Sequence, residues 1–266
     1  MNRHRLFWGT MVILLGVMLL LNTFGILKVN AWSIFWPILL VIIGIWFLVG
    51  PIFFNKKIES QHLSVPLGNA SALEVKVKHG AGRLNISPSP FGSPDALAGD
   101  FVGGVDQTSE MNGQKMTVNL KTPGDLFWGF TPFSGFEGFT WDMTINRDTP
   151  VSLVIQSGAD EAHLNLREMK VTDLKIETGA SSTRVILPAS AGLTHGSIQT
   201  GAASLHLQVP EGVAGRFSIK HGMAGINVNS SRFIKNGDAY ETPGFLSSPN
   251  RVDLVIETGV GSVDIF

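Results

Sequence analysis

The chain has 266 residues, a formal net charge of −1 at neutral pH and no cysteine. Such a balance offers no basic face for nucleic acid, and the lack of cysteine excludes disulfides, thiolate metal sites and cysteine nucleophiles. Charged residues make up only 15% of the sequence and are unevenly placed. The first 54 residues contain only Arg3, Arg5 and Lys28, so that region has the composition of a membrane segment.

Two charge-free apolar runs, residues 6–27 and 34–54, are each long enough to cross a bilayer as a helix. They predict a transmembrane α-hairpin over residues 1–54, followed by a juxtamembrane linker at 55–61. A cleaved signal peptide is the alternative for the first run, but the run is too long and lacks an Ala-x-Ala-like cleavage site. The bilayer is therefore one expected partner.

Basic residues near the two runs predict the orientation of the hairpin. Four of them, Arg3, Arg5, Lys56 and Lys57, flank the outer ends of the runs, whereas the connecting loop carries only Lys28. The positive-inside rule then places the N-terminus and the large domain that follows in the cytoplasm of a two-pass cell-membrane protein.

A repeat centred on a glycine dominates the rest of the chain. Its middle copies are spaced by 21, 22 and 21 residues, and apolar residues alternate on both sides of each glycine. This pattern predicts an all-β, single-stranded solenoid resembling a β-helix over residues 62–266. We expect each glycine to supply a positive φ at a tight turn between two half-buried strands. The glycines are Gly80, Gly158, Gly179, Gly201, Gly222 and Gly259.

The position before each glycine is always Ser, Thr or His, and by parity it faces the same side as the apolar residues. We expect a ladder of small polar groups that satisfies backbone atoms at the turn. His79 and His221 occupy this position and are interpreted as ladder members rather than as metal ligands.

Two insertions, at about residues 87–150 and 229–250, lengthen the outer spacings of the repeat. Residues 101–119 are predicted to form a strand pair around a Met-Asn-Gly-Gln turn. The first insertion also contains a glycine-spaced aromatic cluster, which either caps the solenoid core or contacts lipid or a protein partner. Its members are Phe127, Trp128, Phe130, Phe133, Phe136, Phe139 and Trp141.

No combination of residues indicates catalysis, a cofactor or a metal site, so we expect a protein that is not an enzyme. The run Asp160-Glu161 with His163 has the residue types of an acid–base cluster. We expect Glu161 and His163 to point to opposite faces of a strand, at a solvated edge.

Several motifs resemble known bacterial families. The membrane region resembles LiaI/LiaF-type proteins through Gly9, Gly16, Leu19-Leu20-Leu21-Asn22, Trp36-Pro37-Ile38-Leu39-Leu40 and Gly44. The rest looks like the toast-rack β domain of LiaF relatives, in Val65-Pro66-Leu67-Gly68, residues 78–84 (Lys-His-Gly-Ala-Gly-Arg-Leu), Trp141-Asp142-Met143 and residues 178–185 (Thr-Gly-Ala-Ser-Ser-Thr-Arg-Val).

The resemblance implies a regulatory or sensory protein in envelope-stress signalling, with a membrane or signalling protein as partner and no catalytic residues. The alternative is a structural scaffold, like the bactofilins, that forms homo-oligomers through its solenoid ends. For that alternative, we expect the strand ending near Phe266 to offer an open edge for pairing.

Overall fold

The computed structural model describes residues 36–37, 39–41, 60–123 and 139–266. The predicted hairpin and most of the linker lie outside these residues, apart from the helical residues 36–37 and 39–41 in the second apolar run. In the described part of the chain, no helix is long and apolar enough to span a membrane.

Within residues 60–123 and 139–266 the fold is almost entirely β-structure in one connected sheet. The short 3₁₀ helix Phe245–Ser247 accompanies the strands β1 (Ser60–Pro66), β2 (Ala72–Pro88), β3 (Asp95–Val102), β4 (Asp106–Asn112), β5 (Lys115–Lys121), β6 (Thr140–Ile145), β7 (Val151–Asn165), β8 (Val171–Ile186), β9 (Leu193–Gln208), β10 (Ala214–Val228), β11 (Ile234–Asn236), β12 (Ala239–Glu241) and β13 (Arg251–Ile265). The first strand begins inside the predicted linker.

The six long strands that carry the repeat glycines pair in parallel with the glycines aligned. If straight, the 15-residue strand β7 would run about 50 Å. Yet residues 166–170 connect it to the start of β8, which lies beside its own start, and five residues span at most about 18 Å. Each long strand must therefore fold back at its glycine, so each forms one rung of the predicted solenoid.

Each rung has an arm before the glycine and an arm after it, and the core lies between the two arms. Positions are numbered here from the glycine of the rung. In β7, Leu153 and Ile155 at −5 and −3 are buried, as are Ala162 and Leu164 at +4 and +6. The glycine and the +1 residue both face outward, so inward alternation is shifted by one residue at the corner, as in a β-bulge.

The repeat glycines do not have the positive φ that the sequence predicts. From the rung of β7 onward they are required because the backbones of neighbouring rungs approach closely at the corner. A Cβ on Gly158, Gly179 or Gly201 would lie 2.5–2.7 Å from the carbonyl oxygen of the preceding rung's glycine. Such contact is too short for any side chain, so the glycines form a stack.

The spatial order of the rungs is β2, β7, β8, β9, β13, β10, which differs from the chain order at its end. Strand β13 lies between β9 and β10, so the expectation of an open edge at the strand ending near Phe266 is wrong. Strand β10 does not pair with β9, although it follows β9 in the chain. The insertion of residues 229–250 is long enough for the chain to return, so that β13 lies between the two.

The first insertion contributes a split seventh rung. Strand β5 pairs in parallel with the first arm of β2, and β6 pairs in parallel with the second arm. The strand pair β4–β5 around Gly113 confirms the predicted hairpin. The end of β5 and the start of β6 thus flank the position where other rungs have a glycine corner.

Candidate interaction surface

The two ends of the solenoid are covered to different extents. At the β2 end, β5 and β4 extend the sheet of the first arms, while β6, β3 and β1 extend the sheet of the second arms. At the β10 end, the hairpin of β12 and β11 covers only residues 216–218 of the first arm. The second arm of β10, residues 222–228, pairs only with β13 in the part of the chain that the structure describes.

Core positions on this second arm of β10 are incompletely buried. Ile226 and Val228 are half-buried, whereas Val263 and Ile265 at the same positions of β13 are 0% and 1% exposed. Met223, at the outward +1 position, is 83% exposed. The end of the hydrophobic core is thus open to solvent along this strand. We call residues 222–228 the open edge.

The pairing of the open edge with β13 shows to which side each of its backbone N–H and C=O groups points. The Asn229 N–H donates to the carbonyl oxygen of Ile265 at 2.9 Å. Since successive residues of a strand direct their N–H and C=O groups to alternate sides, those of Asn227 and Gly225 also face β13. The N–H and C=O groups of Ala224, Ile226 and Val228 therefore point to the unoccupied side.

Other outer strands carry features that oppose pairing with another chain. Strand β4 contains Asp106 and Glu110, β1 ends in Pro66, and β11 has only three residues, including Lys235. The open edge contains neither a charge nor a proline and alternates inward apolar with outward residues. Among the described strands, it is the one best suited to accept a further strand.

The structure describes only two of the seven residues of the predicted aromatic cluster, Phe139 and Trp141. Five of its members, Phe127, Trp128, Phe130, Phe133 and Phe136, lie outside the described residues. Phe139 is half-buried, and its carbonyl accepts a hydrogen bond from the Arg83 N–H at 2.8 Å.

Trp141 does not belong to a contact surface. It occupies the +4 position of the split rung, is 1% exposed, and packs edge-on against Phe101 with ring centroids 5.2 Å apart. The aromatic run of the sequence continues into β6, and alternation within that strand turns Trp141 into the core.

A buried polar cluster lies near the capped end. The Ser157 hydroxyl donates to Asp160 Oδ1 at 3.0 Å, and His79 Nδ1 lies 3.8 Å from Asp160 Oδ2. His79 also packs against Trp141, with ring centroids 5.0 Å apart. Neither His79 Nδ1 nor Asp160 Oδ2 has a hydrogen-bond partner among the described residues. Sequence reasoning missed the pairing because it assigned Asp160 to a solvated edge, whereas the parity shift at the corner turns the +2 position inward.

The ladder before the glycines faces inward as predicted, but its partners are mostly other side chains rather than backbone. Thr200 donates from its hydroxyl to that of Thr258 at 2.9 Å, and Ser181 at +2 donates to Thr178. His221, at the open end, is exposed. Thr200 and Thr258 are thus paired laterally between rungs, and Thr178 is paired with Ser181 across its own corner.

Glu161 and His163 share the outer face, contrary to the sequence expectation, because residues two apart in a strand point the same way. His163 Nε2 lies 3.0 Å from Glu161 Oε1. Hydrogen bonds from His163 and then Arg83 lower the pKa of Glu161. The Arg83–Glu161 ion pair is half-exposed and joins neighbouring rungs laterally.

A shallow polar groove crosses the rungs beside the glycine stack, formed by the −2 and −1 positions. Its outer side chains bond to each other: Gln156 donates to Glu177 at 2.7 Å, and Lys220 donates to Glu257 at 3.1 Å. Hydrogen bonds from Lys175 and Gln156 lower the pKa of Glu177. In residues 60–123 and 139–266, no group of three or more His, Asp or Glu residues could hold a metal ion.

A comparison with one solved structure agrees with this architecture. A solved structure from Clostridium sporogenes, named for a proposed role in cell adhesion, is similar over 78% of this chain and 98% of its own, with 19% identity and a TM-score of 0.70. A Bacteroides fragilis structure named for a proposed adhesin role aligns with 10% identity over 80% of this chain and 98% of its own, at a TM-score of 0.28. A search of curated proteins finds no match.

Two family profiles match the sequence. Residues 6–48 match the LiaI-LiaF-like transmembrane region, which identifies the protein as membrane-associated. Residues 54–208, more than half of the chain, match the N-terminal domain of toast_rack, and this match ends with the last residue of β9. With its stacked, glycine-centred rungs, the chain belongs to the toast-rack family.

Proposed function

We propose that the protein is a non-enzymatic regulator in bacterial envelope-stress signalling, which binds a membrane or signalling protein. The observation that carries this proposal is the joining of a LiaI-LiaF-like membrane region to a toast-rack domain in one polypeptide. A rigid solenoid presents long faces and strand edges, which suit binding better than chemistry.

The described side chains also favour binding. His79 and Asp160 are buried in the core, where His79 packs on Trp141, rather than in a cleft that a substrate could enter. The outer polar side chains are paired laterally with each other. A regulator that acts by contact needs no further machinery.

Deletion of the gene tests the proposal in the bacterium that carries it. A transcriptional reporter of the cell-wall stress response should change its induction by a wall-active antibiotic when the gene is deleted, and plasmid-borne protein should restore it. Unchanged induction at every antibiotic concentration would contradict a signalling role. Complementation with the Trp141→Ala variant, whose core is damaged, is the matched control. It shows whether restored induction requires a folded β domain.

Orientation forms a second part of the proposal: two membrane passes, with the β domain in the cytoplasm. Because the native chain lacks cysteine, Met111→Cys on the exposed strand β4 gives a single reactive site. A membrane-impermeant maleimide should label it only after the cells are lysed. Labelling in intact cells would place the domain outside.

The aromatic segment is the part of the sequence that we propose contacts lipid or the signalling partner. The triple change Phe130→Ser, Phe133→Ser and Phe136→Ser should leave the domain folded and release the partner in membrane cross-linking experiments. Loss of folding would instead support the capping role. Protease resistance of the β domain reports its folding, and the mass of the cross-linked product reports binding of the partner.

A structural scaffold is the second candidate, because the open edge of β10 allows one copy to associate with another; a filament would also need a second contact elsewhere on the chain. Electron microscopy of the full chain in liposomes distinguishes the candidates. Filaments would support the scaffold, and discrete particles would support the regulator.

A further inference from the structure

The open edge, residues 222–228, leaves inward core residues half-exposed and, among the described strands, has no neighbour for its outward-directed backbone groups. We propose that it is a self-association surface, where the second arm of β10 pairs antiparallel with the same arm of a second copy of this chain. The inference does not depend on the signalling role proposed above.

The first argument is the register of the free backbone groups. The N–H and C=O groups of Ala224, Ile226 and Val228 point away from β13. In an antiparallel pair with a twofold axis at Ile226, that residue lies opposite the partner's Ile226, and Ala224 lies opposite the partner's Val228. Each of these residue pairs exchanges two hydrogen bonds, so all of the free groups are satisfied.

The absence of charge on the open edge supports a second copy of this chain as its binding partner. Residues 222–228 contain no charged side chain, and the nearby Lys220 is neutralised by Glu257 at 3.1 Å. Two copies therefore meet without repulsion. A strand from a strongly acidic or basic partner would find nothing of opposite charge there.

Burial provides the third argument. Ile226 and Val228 are only half-buried, although the matching residues of β13 are fully buried. Pairing of two edges would place the open ends of the two cores side by side and cover both. Membrane association confines the copies to a surface, which raises their effective concentration for such pairing.

The difference between the two ends of the solenoid limits the assembly to two copies. The β2 end is extended by strands on both arms, and its outer strands oppose pairing, because β4 contains Asp106 and Glu110 and β1 ends in Pro66. A contact between two β10 edges uses the same surface on both chains and closes on itself. We therefore expect pairs rather than filaments.

Disulfide trapping in native membranes tests both the pairing and its register, because every introduced cysteine is unique in this chain. In the proposed pair, Gly225 lies opposite the partner's Asn227 at a non-hydrogen-bonded site, where Cα atoms are about 4.5 Å apart. That distance suits a disulfide. A side chain at Gly225 has room, since the nearest atom to a built Cβ is the Gly261 carbonyl oxygen at 3.9 Å.

The experiment uses two full-length chains with different epitope tags, one carrying Gly225→Cys and the other Asn227→Cys. After mild oxidation, a disulfide-linked dimer with both tags should form when the two are expressed together. Each variant alone should give little product, because like positions are two residues out of register. Glu211→Cys, exposed in the turn before β10, measures random collision and should give the same background.

The change Ile226→Pro, added to both chains, provides the second test. It removes an N–H group that points to the open side and keeps the bonds to β13, so the dimer should be lost while the β domain stays protease-resistant. No mixed-tag dimer, equal product from Gly225→Cys alone, or a cross-link to a different protein would overturn the proposal.

Discussion

The two ends of the solenoid have the same backbone arrangement but different surroundings. At the β2 end, additional strands cover both arms, and a tryptophan, a histidine and an aspartate are buried. At the β10 end, one arm is covered and the other exposes its core residues and its hydrogen-bonding groups. Equivalent positions should therefore differ in their contribution to stability, and this difference shows which end is free to bind.

The largest expected difference concerns core side chains. Trp141→Ala, near the capped end, should lower the free energy of unfolding by about 3–5 kcal/mol, because a fully buried ring is lost. Ile226→Ala at the open edge should cost about 1 kcal/mol, since half of that side chain's environment is already solvent. Urea denaturation of the full chain in detergent, followed by circular dichroism, measures both. Equal costs would show that the β10 end is covered.

Each glycine of the stack packs against the carbonyl oxygen of the glycine before it in the spatial order, so the glycines at the two ends have different neighbours. These two glycines give the second comparison. A Cβ on Gly222 would lie 2.7 Å from the Gly259 carbonyl oxygen, whereas among the residues that the structure describes a Cβ on Gly80 meets only Thr122 Oγ1 at 3.9 Å. Gly222→Ala should therefore destabilise the chain by about 1–3 kcal/mol, and Gly80→Ala should be tolerated within about 0.5 kcal/mol. The same denaturation assay applies. A costly Gly80→Ala would contradict the directional stack.

The two histidines of the polar ladder give a third comparison. His79→Ala removes a buried ring that packs on Trp141 and leaves Asp160 Oδ2 without the imidazole that lies 3.8 Å away, so it should cost about 1–3 kcal/mol. His221→Ala changes an exposed side chain and should be close to neutral. Thermal unfolding midpoints of the two variants, measured side by side, check the ranking, and a reversed ranking would refute it.

The smallest effect is a pH dependence at the capped end. Burial opposes ionisation of Glu74, but hydrogen bonds from Lys115 and Thr117 outweigh it and lower the pKa of this carboxyl below its ordinary 4.5. The stabilisation is thus present above about pH 4.5 and is lost as the pH falls through the folded-state pKa. Glu74→Gln should cost about 0.5–1 kcal/mol at pH 7, and this cost should shrink as the pH is lowered below 4.5, as judged by denaturation over a series of pH values.

High salt provides the control for this last prediction, because screening weakens a half-exposed ion pair. The cost of Glu74→Gln at pH 7 should shrink in about 1 M salt. A cost that is independent of both pH and salt would indicate lost packing instead of lost charge.

Much of this fold can be predicted from sequence because the repeat is local. The alternation around each glycine specifies two arms, and the near-constant spacing specifies stacking, so the solenoid and its inward residues follow directly. The open edge could have been suspected from residues 222–228, which combine alternating apolar residues with the absence of charge. Met116, Val118 and Leu120 also carry the signal of an additional rung.

Tertiary structure alone decided the rest. Which strand lies next to β9 depends on whether a loop can reach the vacant place, and local periodicity is the same for β10 and β13. The pairing of His79 with Asp160 depends on a one-residue shift at the corner, which strict alternation does not reveal. The glycines were identified from sequence alone. Their purpose, close approach of neighbouring backbones rather than a positive φ, became clear only when the rungs were stacked.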